Sequence, residues 1–330
     1  HTVFLGGGTP SLLTPAQVGA VLRRLRAAFA VRRDAEVTLE ANPGTLTRDA
    51  LAAYRAAGVN RLSLGVQSFR DPELRRLGRI HSAGEARRAV QEARAAGFDN
   101  LSLDLMYAIP GQSLAHWEAS LGAALTLAPE HVSAYALTIE RHTPFGRLVG
   151  AGRLRPAPSD MEAAMYEAAM AMLQGAGFEH YEVSSYARPG FRCRHNQHYW
   201  AHGEYLGLGP AAHSFRMEGA RRARRWWNVS DLSHYLARLA EGRPPLAGEE
   251  RLGARELVAE RVLLGLRDGG LDLPRLAREL GYDARRERRD TLERLRQAGL
   301  ATLTGGVLRL TRKGYLLCDE ITPHLLPPEA

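Results

Sequence analysis

Lysine is almost missing from this chain, and cysteine is nearly as rare. Lys313 is the single lysine among 44 basic residues, which stand against 36 acidic ones. A net charge of +8 carried almost wholly by arginine reads as genome composition and solvated helix faces. It still favours anionic partners such as nucleic acid, phosphate or a carboxylated small molecule. Two cysteines, Cys193 and Cys318, supply neither a disulfide framework nor a cysteine-spaced metal site, and a cytoplasmic location fits them. No run of about eighteen apolar residues occurs, so no span of the usual helical kind is expected; only peripheral membrane contact stays open. No signal peptide is visible. An initiating methionine is also lacking. The chain opens inside an apolar β-type run, Val3 to Leu5, and a first strand of the same fold is expected upstream of it.

What is present is ordinary for a soluble globular protein: 45% hydrophobic and 24% charged residues over 330 positions, enough for one large domain and a smaller one. Strand-like runs at Val3–Leu5, Val37–Glu40, Arg61–Leu64, Leu101–Leu105 and Val132–Leu137 alternate with helix-like stretches at Pro15–Phe29, Arg48–Ala57, Gly84–Ala96 and Ser113–Leu127. That alternation predicts a parallel sheet of βαβ units. The junctions Ala57-Gly58-Val59, Ala96-Gly97-Phe98 and Ala176-Gly177-Phe178 place glycine just past a helix end, where the left-handed conformation is needed. The class is α/β, an open or partial (β/α) barrel whose functional residues gather at the carboxyl ends of its strands.

Residues 141–158 read as loop. A helix at Ser159–Gln174 and a strand at Phe178–Val183 follow, and 184–230 reads as irregular, rich in His, Tyr, Trp and Gly. After a linker at Gly242–Gly248, helices at Arg255–Leu266, Leu273–Glu279 and Arg285–Gln297 and a hairpin around Thr304-Gly305-Gly306 predict a small winged-helix-like α+β module. The expected regions are 1–150, 151–245 and 246–330.

Strand ends carry the chemistry. The first gives Gly6-Gly7-Gly8-Thr9-Pro10, the second Glu40, the third Gln67 and the fourth Asp104, with Arg79 between the last two. Alone, a glycine triplet is a tight turn, but it also lets a ligand approach the backbone. Four polar residues near successive strand ends make a ligand cradle. Its carboxylates suit ribose hydroxyls or an amino group, and its arginine suits a carboxylate. No nucleophile–base pair is evident, so the cradle is built for a cofactor that carries the chemistry itself.

Cys193-x-His195-x-x-His198, with His180, His202 and His213 nearby in sequence, leaves three readings: structural histidines first, then haem ligation, then zinc. The stretch Arg221-Arg222-Ala223-Arg224-Arg225-Trp226-Trp227 reads as a basic hairpin with inward tryptophans. A surface for haem propionates or nucleic acid is the alternative. Glu249, Glu250, Glu256, Glu260 and Asp268 speak against a groove-binding face in the tail.

Taken together, Phe4-Leu5-Gly-Gly-Gly-Thr-Pro-Ser11, Leu39-Glu40-Ala-Asn-Pro43, Gly65-Val-Gln67-Ser-Phe69, Gly78-Arg79-Ile-His81 and Leu103-Asp104-Leu with Pro110-Gly-Gln112 resemble, in order and spacing, one group over essentially the whole chain. It is the radical SAM proteins of the oxygen-independent coproporphyrinogen III oxidase-like family. Arg194-His195-Asn196-Gln197-His198-Tyr199-Trp200 fits the HNxxYW signature of the HemW-type haem-chaperone branch, and Tyr205-Leu-Gly-Leu-Gly-Pro-Ala-Ala-His213-Ser is similar to it too.

The resemblance implies a partial (β/α)6 radical SAM barrel lacking its first strand. It implies S-adenosylmethionine as cofactor, with Gly6, Gly7 and Gly8 on its amino-group side and Thr9, Glu40, Gln67, Arg79 and Asp104 among its other contacts. It implies haem as cargo with His195 on the iron, and recipient haemoproteins as partners; nucleic acid is not expected. The family's [4Fe–4S] cluster sits on a CxxxCxxC upstream of the glycine motif, which this chain lacks, so the cluster is expected only in a longer form. Radical chemistry is not expected of the chain as it stands, and enzymatic activity stays open. Two alternatives remain: a coproporphyrinogen III oxidase, and a DNA-binding regulator acting through the C-terminal module.

Overall fold

The computed structural model describes residues 1–327, which divide after His195 into two compact units. The first unit alternates strand and helix as its sequence predicts: β1 (Thr2–Leu5), α1 (Pro15–Ala28), β2 (Glu36–Ala41), α2 (Arg48–Ala57), β3 (Arg61–Gln67), α3 (Asp71–Arg76), α4 (Ala83–Ala95), β4 (Leu101–Tyr107), α5 (Leu114–Thr126) and β5 (His131–Ala136). Helix starts carry their own signals. Thr14 and Ser82 each close a capping box, with Gln17 and Glu85 reaching back to the cap N–H. Gly58, at φ +106, ends α2 in the left-handed conformation.

β1 to β5 pair in parallel in sequence order. After α6 (Pro144–Gly150) and α7 (Ser159–Gly175), the chain forms a hairpin, β6 (Glu179–Glu182) and β7 (Ser185–Ala187). β7 runs antiparallel to β5, and β6 takes the sheet edge. The segment 141–158, which reads as loop, holds α6, a single short element started by Thr143 capping Gly146 N–H with Pro144 in the first turn. Seven residues with two glycines leave little periodicity to detect. α8 (Arg194–Trp200) follows.

The strands have two chemically different faces. Leu39, Leu62, Leu64, Leu101, Leu103, Val132 and Ala134 are fully buried and share one face. Each such leucine contributes roughly 1.5–3 kcal/mol by leaving water. The residues that alternate with them are Glu36, Thr38 and Glu40, then Arg61 and Ser63, Ser102 and Asp104, and His131, Ser133 and Tyr135. A strand's period of two puts these polar groups together on the opposite face.

The second unit corrects the reading of 184–230 as irregular and of 242–248 as a plain linker. β8 (His213–Gly219) and β9 (Arg222–Asn228) form a hairpin, α9 (Leu232–Ala240) follows, and β10 (Leu246–Leu252) pairs antiparallel with β9. These strands escape detection because their charged residues find partners across the sheet instead of alternating with apolar ones. Then come α10 (Ala254–Arg267), β11 (Leu271–Asp272), α11 (Leu273–Leu280), α12 (Ala284–Glu287), α13 (Arg289–Gln297), β12 (Ala301–Thr304), β13 (Val307–Leu310), α14 (Arg312–Leu316) and α15 (Cys318–His324). The order helix, short strand, three helices (the last two a single interrupted run) and a β12–β13 hairpin, with β11 on β13, is a winged-helix-like arrangement. The single helix expected at Arg285–Gln297 is interrupted at Arg288, whose φ of −124° and ψ of 27° break the helical run. Leu257, Val262, Leu273, Leu276, Leu292 and Leu308 anchor this unit's core.

Candidate functional site

The glycine loop after β1 and the tip of β2 are joined directly. Gly7 N–H donates to Glu40 Oε2 at 3.2 Å. A Cβ at Gly6 would lie 2.8 Å from the Phe4 ring and 3.2 Å from Glu40 Cδ, so only glycine fits between ring and carboxylate. Gly7 and Gly8 sit at φ +78 and +54, a region that L side chains resist. Thr9 lies at the end of the loop, its carbonyl accepting Leu12 N–H at 3.0 Å.

At the end of β3 the pairing with β4 slips between Leu64 and Gln67, and Gln67 takes φ +67. Its Oε1 accepts the Tyr135 hydroxyl at 2.7 Å. Arg79 Nη2 donates to Gly65 O at 2.9 Å, while its buried Nε has no partner. A side chain at Gly65 would press on Arg79 Nη2 at 3.1 Å and Gln67 Nε2 at 3.2 Å. The structure therefore gathers the glycine loop, Glu40, Gln67 and Arg79 at one end of the sheet. An orphaned guanidinium nitrogen and a space that only glycine leaves open suit a polar ligand there.

Asp104 joins them through β3. Ser63, the register partner of Glu40, donates to both Asp104 oxygens at 3.1 Å, and Ser102 donates to Oδ1 at 3.3 Å. Burial pushes the Asp104 carboxyl up to about 6, against the opposing pull of Arg61 and the serine hydroxyls. Burial likewise raises Glu40, countered by Gly7 N–H and Arg61. Arg61 is only 2% exposed and its Nε has no hydrogen-bond partner. It serves as a charge beneath two carboxylates.

A polar chain continues below. Ser102 Oγ meets His131 Nδ1 at 2.8 Å, His131 Nε2 meets the Tyr181 hydroxyl at 2.7 Å, and that oxygen accepts Cys193 N–H at 3.2 Å. One set of directions satisfies every link: Cys193 N–H to Tyr181, Tyr181 O–H to His131, His131 Nδ1–H to Ser102, and Ser102 O–H to Asp104. Full burial, reinforced by Arg61, holds His131 neutral, well below the ordinary histidine range.

His195 lies away from the cradle, toward the start of β1 and β2. Its Nδ1 is 3.0 Å from Thr2 Oγ1, and its ring stacks on Phe4 at 4.8 Å and 20°. The Glu36 carboxylate accepts Arg194 N–H at 2.9 Å and His195 N–H at 3.0 Å, anchoring the start of α8. Glu36 precedes Glu40 by four residues of strand, roughly 13 Å.

The zinc reading of the histidine-rich stretch is overturned. Among the described residues no three His, Cys, Asp or Glu side chains converge on a metal position. His198 Nε2 meets Glu204 O at 2.6 Å, His202 meets Glu260 at 2.8 Å, and His213 stacks on Trp227. The arginine–tryptophan run is a hairpin strand whose charges are largely matched. Arg225 reaches Glu250 and Glu260 at 2.7 Å, and Arg224 pairs with Glu249. The tryptophans are half-buried, not packed inward, and Trp226 carries the Arg224 guanidinium on its face.

Phe4, Glu36, Arg61, Ser63, Gly65, Ser102, His131, Tyr135 and Tyr181 escape a reading by strand ends alone. The signal for most of them was parity, since they alternate with leucine and valine in phase with Glu40 or Asp104.

Residues 1–124 match the Radical SAM superfamily and residues 252–317 the HemN C-terminal domain. The chain is 43% identical to the haem chaperone HemW of Mycobacterium tuberculosis over 327 residues, 99% of this chain and 80% of that one. It is 36% identical to HemW of Bacillus subtilis, covering 97% and 84%. It is 39% identical to the mitochondrial radical S-adenosyl methionine domain-containing protein 1 of Mus musculus, covering 99% and 76%. The first unit's curled half-barrel sheet and the C-terminal domain match the solved coproporphyrinogen III oxidase HemN of Escherichia coli with a TM-score of 0.82 at 24% identity, covering 98% of this chain and 77% of that one. That likeness shows the radical SAM fold.

Proposed function

Since this chain belongs to the HemW family of radical SAM proteins, we propose that it binds haem and passes it to recipient haemoproteins. The observation that carries this is the likeness to a haem chaperone at 43% identity over 99% of the chain. The oxidase, by contrast, shares the fold at 24%.

S-adenosylmethionine, haem and a [4Fe–4S] cluster are the groups of this family. The first fits the residues at the strand ends: Glu40 takes its ammonium, Arg79 its carboxylate, Asp104 the ribose hydroxyls, and the glycine loop admits its amino-acid end close to the backbone. In a protein that also carries the electron-donating cluster, the bound cofactor would supply the radical chemistry for which the superfamily is named. The residues' own part is to hold charge in place. Ser63 and Ser102 orient Asp104, Tyr135 fixes Gln67, and Gly7 N–H aims Glu40. The cluster does not fit this chain. Cys193 and Cys318 are its two thiols, and no set of metal ligands converges among the described residues.

Haem is cargo. His195 is the residue we assign to its iron, with Nδ1 held by Thr2 so that the ring orientation is set by a second partner. No helix among the described residues is long and apolar enough to cross a membrane, and we place the protein in the cytoplasm. The test is a haem titration: a Soret band is expected with the wild type and is lost in His195→Ala. A band that persists unchanged in that variant removes His195 as ligand. Conversion of coproporphyrinogen III by a longer form that carries the CxxxCxxC segment, with its cluster reconstituted, would overturn the chaperone reading in favour of the oxidase.

A further inference from the structure

Asn42 and His81 each lie two residues beyond a cradle group, Glu40 and Arg79, and the fold brings them together. His81 is only 3% exposed. Its Nδ1 lies 3.0 Å from Asn42 Oδ1 and its Nε2 3.1 Å from Val66 O. The oxygen of the Asn42 carboxamide is the atom that faces the ring, since the same oxygen accepts Gly44 N–H at 3.2 Å. Both ring nitrogens thus meet acceptors. A neutral imidazole has one N–H to give and an imidazolium two, so the ring donates to at least one of them in either state. Burial pulls it toward the neutral form, against the Val66 carbonyl; Arg79 adds to the first pull and Glu85 to the second.

From this ring the contacts reach every segment that supplies the amino-acid end of the cradle. Val66, fully buried, immediately precedes Gln67 with its φ of +67. Arg79 stands two residues before His81 and returns Nη2 to Gly65 O at 2.9 Å. Asn42 extends the set to the glycine loop. Its N–H donates to Ser11 Oγ at 3.1 Å, Ser11 Oγ lies 2.6 Å from Thr45 Oγ1, and Thr45 O–H donates to Asn42 O at 2.8 Å. With Ser11 O–H directed to Thr45, these bonds close into a ring. Asp104 is held by a different set, Ser63 and Ser102.

We propose that His81 is the positioning residue for the amino-acid end of S-adenosylmethionine. It clasps the ends of β2 and β3, so that Glu40, Gln67 and Arg79 keep the separation that an ammonium and a carboxylate need. This rests on the S-adenosylmethionine reading above. His81 acts through Asn42 and the Val66 carbonyl, not by contact with the ligand. The ribose end, on Asp104, does not depend on it.

The experiment compares S-adenosylmethionine with methylthioadenosine, which keeps the nucleoside and lacks the ammonium and carboxylate, by equilibrium dialysis against the full chain. His81→Leu is expected to weaken S-adenosylmethionine by about fivefold or more, the effect of one lost hydrogen bond. Methylthioadenosine should stay within about twofold of wild type. His81→Phe, which keeps a ring without its nitrogens, replaces the leucine variant if circular dichroism shows that one unfolded. His81→Gln returns an amide donor near the Nε2 position and His81→Asn near Nδ1, and at least one of them should recover most of the lost affinity. Unchanged S-adenosylmethionine affinity in His81→Leu overturns the proposal. Equal weakening of both nucleosides also overturns it, by making His81 a residue of the fold alone, and so does failure of both amide variants to recover affinity. Wild-type protein that binds neither nucleoside brings down the cradle reading itself, and the proposal with it.

Discussion

Tyr135 donates its hydroxyl to Gln67 Oε1 at 2.7 Å, holding a side chain whose own backbone sits at φ +67. A non-glycine residue in that region costs on the order of 1–3 kcal/mol and persists where its surroundings fix it. Tyr135→Phe removes the hydroxyl and leaves the Gln67 carboxamide without that donor, a loss of about 1 kcal/mol. The expected result is S-adenosylmethionine binding weaker by roughly fivefold, with haem binding unchanged, both by titration. Equal weakening of both ligands would assign Tyr135 to the fold and not to the cradle.

Asp104 gives the cradle a pH dependence. Its carboxyl is raised from 3.8 to about 6 by burial, and the role proposed for it, accepting ribose hydroxyls, calls for the ionised form. Affinity for S-adenosylmethionine is expected to hold above that value and to decline as pH falls through about 6. Stability runs the other way. The native state binds this proton more tightly than the unfolded chain, so Asp104's own contribution to stability falls as pH rises from about 4 to about 6. Arg61→Met removes the cation that opposes burial, and the binding midpoint moves to higher pH. A binding profile flat from about one pH unit below to about two above the Asp104 value of about 6 would remove Asp104 from the contact set.

Much of this was legible in the sequence for a physical reason. Parallel strands buried on one face write unbroken leucine and valine at every second position, as in Leu62-Ser63-Leu64 and Leu101-Ser102-Leu103-Asp104. Their glycine-terminated helices punctuate them, so β1 to β5 and the cradle residues at their tips stand out. The β8–β9 hairpin and β10 did not, because Arg224 and Arg225 are matched by Glu249, Glu250 and Glu260 across strands and from α10. Charge complementarity between distant segments has no local period. The position of His195 was invisible for the same reason: Thr2, Phe4 and Glu36 lie about 160–190 residues from it.

The glycine triplet separates contact from backbone strain. Gly6→Ala places a methyl 2.8 Å from the Phe4 ring and 3.2 Å from Glu40 Cδ, so the ring or the carboxylate must shift. Gly7→Ala meets nothing within 4 Å but must hold φ +78, a cost of roughly 1–2 kcal/mol. Gly6→Ala is expected to lower S-adenosylmethionine affinity by tenfold or more, about 1.4 kcal/mol, with little change in urea midpoint. Gly7→Ala should chiefly lower the midpoint. The reverse pattern, measured by dialysis and urea unfolding, would mean that Gly6 is a turn residue and nothing more.

The chain from Cys193 N–H through Tyr181, His131 and Ser102 to Asp104 is a buried, continuous polar network. Tyr181→Phe removes the hydroxyl that His131 Nε2 meets in the buried network, and an unsatisfied buried group costs about 1–3 kcal/mol. The urea midpoint is expected to fall accordingly at unchanged slope. His131 adds a pH signature. Its folded-state value is depressed, so the unfolded chain takes up a proton first, and stability is lost as pH falls below about 6.5. In His131→Gln that acid loss should shrink even where the variant is less stable at neutral pH. An acid limb identical in wild type and variant would show that His131 is charged in the fold and that the chain runs in another direction.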